Sequence, residues 1–379
     1  MERTDHDQNT QTEPPTVRTK RVLPLAGLRV VDLSQVLAGP HATWALAQLG
    51  AEVIKVEPPG GDASRQVGPF LDGTSLYHRT VNAGKVIVTE DLTTQKGRRH
   101  LNDLLTTADI VVHNLRADSA ARLGLAPKQL SDDHPRLVIV TIAGFAEGTP
   151  EGGRAAYDLV IQALSGIMSL TGPPDRPPVR AGVPVSDLSA GLWAALAALA
   201  GLRHRDVNGR GGHLEVPMLD ASLSLLTYMG TGAATTGIVP RRIGNEHPTV
   251  VPYGSYEAAD GHVVIAAYSN KFWLALCRAL ELRALGEDRG LDSMAGRLAR
   301  REEINTAVQR AVTGRTRAAV LAVLEAHDVP CAPVLDVNEA LATSYVRRRG
   351  AVRHVDEGSV AYQTVVAPVN GLNESAPPM

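Results

Sequence analysis

Cysteine is nearly absent from this chain: Cys277 and Cys331 are the two that occur in 379 residues, far apart and without the close spacing of metal-ligand pairs. That scarcity excludes a disulfide framework, argues against a structural zinc, and fits free thiols in a reducing cytoplasm. Cys331, within Val-Pro-Cys-Ala-Pro-Val, reads as a buried thiol. Excess charge of either sign is also missing, since 38 Lys and Arg stand against 40 Asp and Glu for a net charge of −2. Nucleic acid, which needs a basic field, is therefore not an expected partner. No stretch approaches the roughly 18 uninterrupted apolar residues of a membrane span. The start, Met1 to Lys20, is polar and lacks the apolar core of a signal peptide, so residues 1–22 are expected to form a disordered tail.

What is present is an ordinary globular composition, 44% hydrophobic and 21% charged, long enough for one large or two ordinary domains. From Leu28 to Glu57 the pattern is a parallel βαβ unit. A β-branched run at Arg29 to Leu33 leads through the loop Ser34 to Pro40 into a helix, His41 to Leu49, that Pro40 starts and Gly50 stops, and then into a strand at Glu52 to Val56. Lys55 and Glu57 read as a solvated strand end. Further strand-like runs at Val86 to Thr89, Ile110 to His113 and Leu137 to Ile142 extend an open α/β sheet, whose ligands belong at the carboxyl ends of its strands. The Ser34 to Pro40 loop opens onto a helix N-terminus, where free amides favour an anionic group. It lacks G-x-G-x-x-G, which argues against a nicotinamide or flavin dinucleotide.

Helical patterns follow at Tyr157 to Leu170 and Leu188 to Leu202, then a strand at His213 to Val216 and a helix at Asp220 to Met229. Glycine and threonine crowd Gly230 to Gly237, and with Arg241 to Pro248 they read as a mobile loop near a ligand. A strand at His262 to Ala267 and helices near Phe272 to Leu280, Glu302 to Val312 and Arg317 to His327 predict a second, smaller domain, and the residues after about Val369 are expected to be loosely structured.

Three acids stand out in the apolar, Gly/Pro-punctuated segment Tyr157 to Leu192: Asp158, Asp175 and Asp187. Asp175 lies in Gly172-Pro173-Pro174-Asp175-Arg176-Pro177-Pro178, where proline fixes φ and removes donors, so the loop is stiff and confines the direction of its carboxylate. Taken alone, it reads as a solvated turn.

The chain as a whole resembles the class III CoA-transferases, the family of formyl-CoA transferase and carnitine CoA-transferase, which also includes α-methylacyl-CoA racemase. The similarity rests on Leu25 to Ser34, Ala38-Gly39-Pro40, Leu49 to Glu57 with Gly61-Asp62, Ala108 to Arg116 with Arg122-Leu123-Gly124, Gly144-Phe145, Tyr157 to Gly191 and Val329 to Val334, and it runs from about Leu23 to Leu372. It implies an α/β fold: a large open Rossmann-like CoA-binding domain (23–215), a smaller α+β domain with linkers (216–334), a C-terminal return to the large domain (335–379), and an interlocked homodimer.

The resemblance makes Asp175 the nucleophile. An ionised carboxylate needs no base to attack a thioester, giving an acyl-aspartyl anhydride, then an aspartyl-CoA thioester, and finally transfer of CoA to an acceptor acid. CoA is thus substrate, with no cofactor permanently bound, and the Gly230 to Pro248 region would serve as a lid against water. The same resemblance puts the CoA contacts on Val36, Leu37, Ala38, Asn114, Leu115, Arg116 and Arg122, with Arg122 matched to phosphate by its fork of donors. Leu37 stands where formyl-CoA transferase has glutamine, Pro58 where it has arginine, and the C-terminal segment is shorter. The alternatives are a racemase and a non-catalytic acyl-CoA-binding protein. The racemase aspartate falls on Asp187 but its histidine on Tyr157, whose phenol, with an ordinary pKa near 10, is a poor base. Asp158 and Asp187 are then expected to cap helices or support the loop.

Overall fold

The computed structural model describes residues 23–356 and 360–369, so the expectations for residues 1–22 and for the chain beyond Val369 lie outside the described residues. Thirteen strands are described: β1 (Arg29–Asp32), β2 (Glu52–Glu57), the two-residue pair β3 (Phe70–Leu71) and β4 (Thr74–Ser75), β5 (Val86–Thr89), β6 (Ile110–His113), β7 (Val138–Ala143), β8 (Gly212–Pro217), β9 (Tyr253–Ala258), β10 (Gly261–Ala266), β11 (Cys331–Pro333), β12 (Val352–Asp356) and β13 (Ala361–Val365).

Six of these strands form one parallel sheet in the order β5-β2-β1-β6-β7-β8. Val31 of β1 is paired with Ile54 on one side and Val111 on the other, and all three are buried on both faces, as parallel strands covered by helices must be. Renumbered within the sheet, this order is 3-2-1-4-5-6, the doubly wound arrangement, and its direction reverses between β1 and β6. The crevice at the carboxyl ends of these two strands is where such a sheet receives a ligand.

The helix after β1 runs Ala38–Gln48, three residues earlier than the proline signal indicated. Pro40 occupies its first turn, where a missing N–H costs nothing. Gly39 is required there by close approach, because a Cβ at this position would lie 2.2 Å from the Ser34 Cβ. The central helix, Val185–Asn208, extends beyond its predicted limits. By length and composition it could cross a membrane, yet it buries Ala190, Ala194, Ala198 and Leu202 at helical spacing against β7, β8 and the helix Ala38–Gln48.

Two helical expectations are corrected. The run Tyr157 to Leu170 is broken at Gly166 (φ 85°) into Asp158–Leu164 and the single turn Ile167–Leu170, because a left-handed residue cannot continue a right-handed helix. Conversely, much of the Gly/Thr-rich stretch is helix: Met218–Ser224 and Thr227–Thr236 replace the single predicted element. Gly230 and Gly232 each weaken that helix by roughly 1 kcal/mol relative to alanine. The hydroxyls of Thr231 and Thr236 fold back onto the carbonyls of Thr227 and Gly232, at 3.1 and 2.8 Å, and the helix buries none of its residues.

A second core forms on the antiparallel sheet β11-β10-β9. Trp273, Leu276, Ile304, Val308, Val320 and Leu324 are fully buried there, on the helices Asn270–Ala279, Arg301–Val312 and Arg317–Glu325. Val216, Met218 and Ala221 pack into the first core. Cys277 is buried, and burial pushes its thiol up to about 12. Cys331, expected to be buried, is only half-buried on the edge strand β11. The hairpin β12–β13 meets the helix Leu76–Asn82, with the Arg79 guanidinium 5.8 Å from the centre of the Tyr362 ring.

Candidate active site

At the carboxyl end of β1, Asp32 is fully buried and collects four donors. Its Oδ1 accepts from the Ser34 amide at 2.9 Å and from the Ser34 hydroxyl, and its Oδ2 from Thr43 Oγ1 at 2.6 Å and Lys85 Nζ at 2.9 Å. Burial pushes this carboxyl up, but Lys85, Lys55 and the two hydroxyls outweigh it and hold it below the ordinary carboxylate range. Lys85 also donates to the Pro40 carbonyl and to Asn82 Oδ1, both at 2.9 Å.

The reading of Lys55 and Glu57 as a solvated strand end is wrong. Lys55 is fully buried, donating to the Ser34 carbonyl at 2.7 Å and pairing with Asp62 Oδ2 at 2.9 Å. Asp62 Oδ1 in turn accepts from the amides of Val36 (3.2 Å) and Ser64 (2.8 Å). Glu57 is 2% exposed and is bonded by His78 Nε2 at 2.8 Å and Arg65 Nε at 2.7 Å. Burial raises its carboxyl, but those two partners take it down to about 2. Two lysines and two aspartates thus form the floor beneath the Ser34 to Ala38 loop.

That floor holds a strained residue. Val36 has φ 68°, a left-handed conformation costly for a β-branched side chain and sustained only where surroundings dictate it. Its amide bond to Asp62 and the reciprocal pairing of the neighbouring Gln35 with Asn114 supply that constraint: Gln35 N–H donates to Asn114 Oδ1 at 2.9 Å, and Asn114 Nδ2 donates to the Gln35 carbonyl at 2.8 Å. This pair ties the two loops to each other at the reversal point between β1 and β6.

The residues expected to meet CoA divide into two groups. Val36, Leu37, Ala38 and Asn114 converge at the reversal point, but Leu37 and Ala38 are 6% and 3% exposed, backbone included, whereas Val36 and Asn114 are half-buried. The amides of Ala38 and Gly39 fall in the first helical turn, where donors find no partner within the helix. Leu115 packs against the apolar cluster around β6. Arg116 and Arg122 are exposed at the two ends of the short helix that follows, Ala117–Arg122, with Arg116 donating to the Gly153 carbonyl at 2.6 Å and Arg122 to Ser119 Oγ at 3.0 Å. Pro58 is exposed just past the end of β2.

Asp175 lies apart from these loops, and among the described residues no hydrogen bond or ion pair joins it to them. Its side chain is 75% exposed, with Arg176 Nε at 3.8 Å. The loop that carries it is fastened from the segment expected to be a lid. Arg242 donates from Nη1 to the Ser169 carbonyl (3.3 Å), from Nε to Pro173 (3.4 Å) and from Nη2 to Arg176 (3.1 Å), while the Gly244 amide donates to the Gly172 carbonyl at 3.2 Å.

Asp158 behaves as a helix cap, its Oδ1 accepting from the Ser186 and Asp187 amides at 2.9 and 3.4 Å at the start of the helix Val185–Asn208. Asp187 is half-buried, and burial together with the neighbouring Asp158 charge raises its carboxyl to about 7. Tyr157 is 71% exposed with no cap bond from its side chain. The pattern V-x-D and V-I-K-V-E, charges inside otherwise apolar strands, was the signal for the buried floor. Arg242 gave no sequence signal beyond lying in the Arg241 to Pro248 run.

Comparison with known proteins identifies the family. The family model described as CoA-transferase family III matches residues 25–378. A succinyl-CoA:mesaconate CoA-transferase of Haloarcula marismortui is 36% identical over 352 residues, covering 90% of this chain and 88% of the relative. A succinate–glutarate CoA-transferase of Agrobacterium fabrum is 35% identical over 335 residues, covering 86% and 84%. Among solved structures, a CAIB/BAIF family protein from Brucella suis superposes with a TM-score of 0.82 at 32% identity, covering 92% of this chain and 93% of that one.

Proposed function

This chain belongs to CoA-transferase family III, and we propose that it moves CoA from an acyl-CoA thioester to a carboxylic acid through covalent intermediates on Asp175. The Asp175 carboxylate attacks the thioester carbonyl and expels CoA thiolate, leaving an acyl-aspartyl anhydride. The thiolate then attacks the aspartyl carbonyl, releasing the donor acid and leaving aspartyl-CoA. An acceptor carboxylate attacks this thioester and expels the thiolate, forming a second mixed anhydride, and the thiolate then attacks the acceptor's acyl carbonyl, giving the new acyl-CoA with the Asp175 carboxylate as leaving group. The observation that carries this reading is the placement of Asp175: a carboxylate open to solvent, on a loop of four prolines fastened at four carbonyls.

The loops Val36 to Ala38 and Asn114 to Arg116, with Arg122, hold the CoA as substrate, their amides and guanidinium groups matching its phosphates. The names of the relatives pair succinyl-CoA or succinate with mesaconate and glutarate, which supports short dicarboxylic acids as donor and acceptor. A homodimer completes the site, since Leu159, Leu164, Leu192, Trp193, Leu196 and Tyr228 expose 47 to 61% of their surface on the helices between 158 and 236, more apolar surface than an isolated chain ordinarily leaves to water. The test is to mix the protein with succinyl-CoA and a panel of dicarboxylic, monocarboxylic and hydroxy acids and to read the CoA esters by mass. New esters from the wild type, and none from Asp175→Asn, are expected. Thioester hydrolysis alone, or undiminished exchange by the variant, contradicts the proposal.

A further inference from the structure

The Asp175 loop has an unusual hydrogen-bond deficit. Between Gly172 and Pro178 four of seven residues are prolines, so only Gly172, Asp175 and Arg176 have an N–H to donate, while all seven carbonyls must be solvated or bonded. It makes few bonds of its own: the Arg176 amide reaches the Pro173 carbonyl at 3.4 Å, and the Val179 amide reaches Thr171 at 3.3 Å. A loop in this condition has fixed φ angles but little to fix its position as a body.

The structure assigns that task to Arg242, which we propose is a positioning residue for the nucleophile; the inference rests on the role of Asp175 given above. Three nitrogens of one guanidinium reach three carbonyls, those of Ser169, Pro173 and Arg176, which bracket Asp175 on both sides. The planar fork of arginine spans such a set and the point charge of lysine does not. The neighbouring Gly244 amide on Gly172 adds a fourth tie from the same segment, which leads into β9 of the second core. The segment therefore does more than cover the site: it sets where the carboxylate stands. The two successive attacks, by Asp175 on the thioester and by thiolate on the aspartyl carbonyl, both depend on that placement, and a misplacement of about 1 Å costs on the order of a hundredfold in rate.

Arg242→Ala, Arg242→Lys and Asp175→Asn are purified, checked for folding by circular dichroism and thermal midpoint, and compared in CoA exchange. Arg242→Ala is expected to lower kcat about a hundredfold, and Arg242→Lys about tenfold, with KM for acyl-CoA within about threefold of wild type. Added guanidinium ion should restore at least part of the Arg242→Ala rate and leave the wild type and Arg242→Lys unimproved, which a general loss of folding would not produce. Retention of more than a third of wild-type kcat by Arg242→Lys and Arg242→Ala, with Asp175→Asn inactive, overturns the positioning role alone. A fall in rate that guanidinium does not relieve and that tracks lost thermal stability overturns it as well. Full exchange by Asp175→Asn overturns the assignment of the nucleophile, and the positioning role with it.

Discussion

Replacing Lys85 by methionine puts the buried floor of the Ser34 to Ala38 loop to a quantitative test. Lys85 and Asp32 are both completely enclosed, and removing the ammonium strips a donor at 2.9 Å from three acceptors at once: Asp32 Oδ2, the Pro40 carbonyl and Asn82 Oδ1. Breaking a buried pair from one side costs about 3–5 kcal/mol, because a charge is left without compensation. The middle of that range is expected, because Asn82 Oδ1 loses its donor whereas Thr43 Oγ1 still serves Asp32 Oδ2 and the Pro40 carbonyl. The Ser34 and Thr43 donors and the Lys55 charge, which remain on Asp32, keep the loss from exceeding it. Thermal denaturation followed by circular dichroism should show a midpoint lower by roughly 5 °C. The double variant Asp32→Asn/Lys85→Met should be less damaged than the sum of its singles by at least about 2 kcal/mol, since no charge is then stranded. In the exchange assay, KM for acyl-CoA should rise in Lys85→Met, because the loop that faces the substrate rests on this pair. A loss below about 1 kcal/mol, or strict additivity in the double variant, would refute the reasoning.

Two further outcomes are expected. The Asp187 carboxyl is raised from its unfolded value of 3.8 to about 7, so between pH 4 and 7 the folded chain holds a proton that the unfolded chain has released, and stability falls as pH rises through that window. Asp187→Asn should flatten this slope and gain about 1–2 kcal/mol at pH 8, a solvent-screened fraction of the ~4 kcal/mol that three pKa units represent; equal slopes for variant and wild type in pH-dependent urea melts would contradict it. On the exposed apolar face, Leu196→Glu should shift the protein from dimer to monomer in sedimentation velocity and lower exchange activity, whereas a wild type that sediments as a fully active monomer would remove the dimer from the account.

The strands of the sheet were readable because most are short β-branched runs, three of them followed directly by Pro58, Asn114 or Gly144, whereas their order, and with it the reversal point, came from the structure. β9 was missed because Tyr253–Ala258 contains Gly254 and Ser255 and owes its conformation to pairing with β10, Tyr256 opposite Val263. The Gly/Thr-rich stretch misled in the opposite sense: Thr227–Thr236 is helical although it contains Gly230 and Gly232 and buries none of its residues, so glycine content did not mark a loop there. The buried floor was misread for a different reason. A lysine inside a strand looks the same in sequence whether it meets water or an aspartate, and Lys85 is separated from Asp32 by 53 positions. Asp175 emerged from the family resemblance, with the prolines explaining its rigidity, whereas Arg242, 66 to 73 residues from its partners, could be recognised only in three dimensions.

The most direct test of the central claim is the mass of the peptide that contains Asp175 after the protein has been quenched during turnover with succinyl-CoA and treated with hydroxylamine. A hydroxamate on Asp175, formed only with acyl-CoA present and absent from Asp175→Asn, is the predicted result. An unmodified peptide from protein that is actively exchanging CoA would contradict the account.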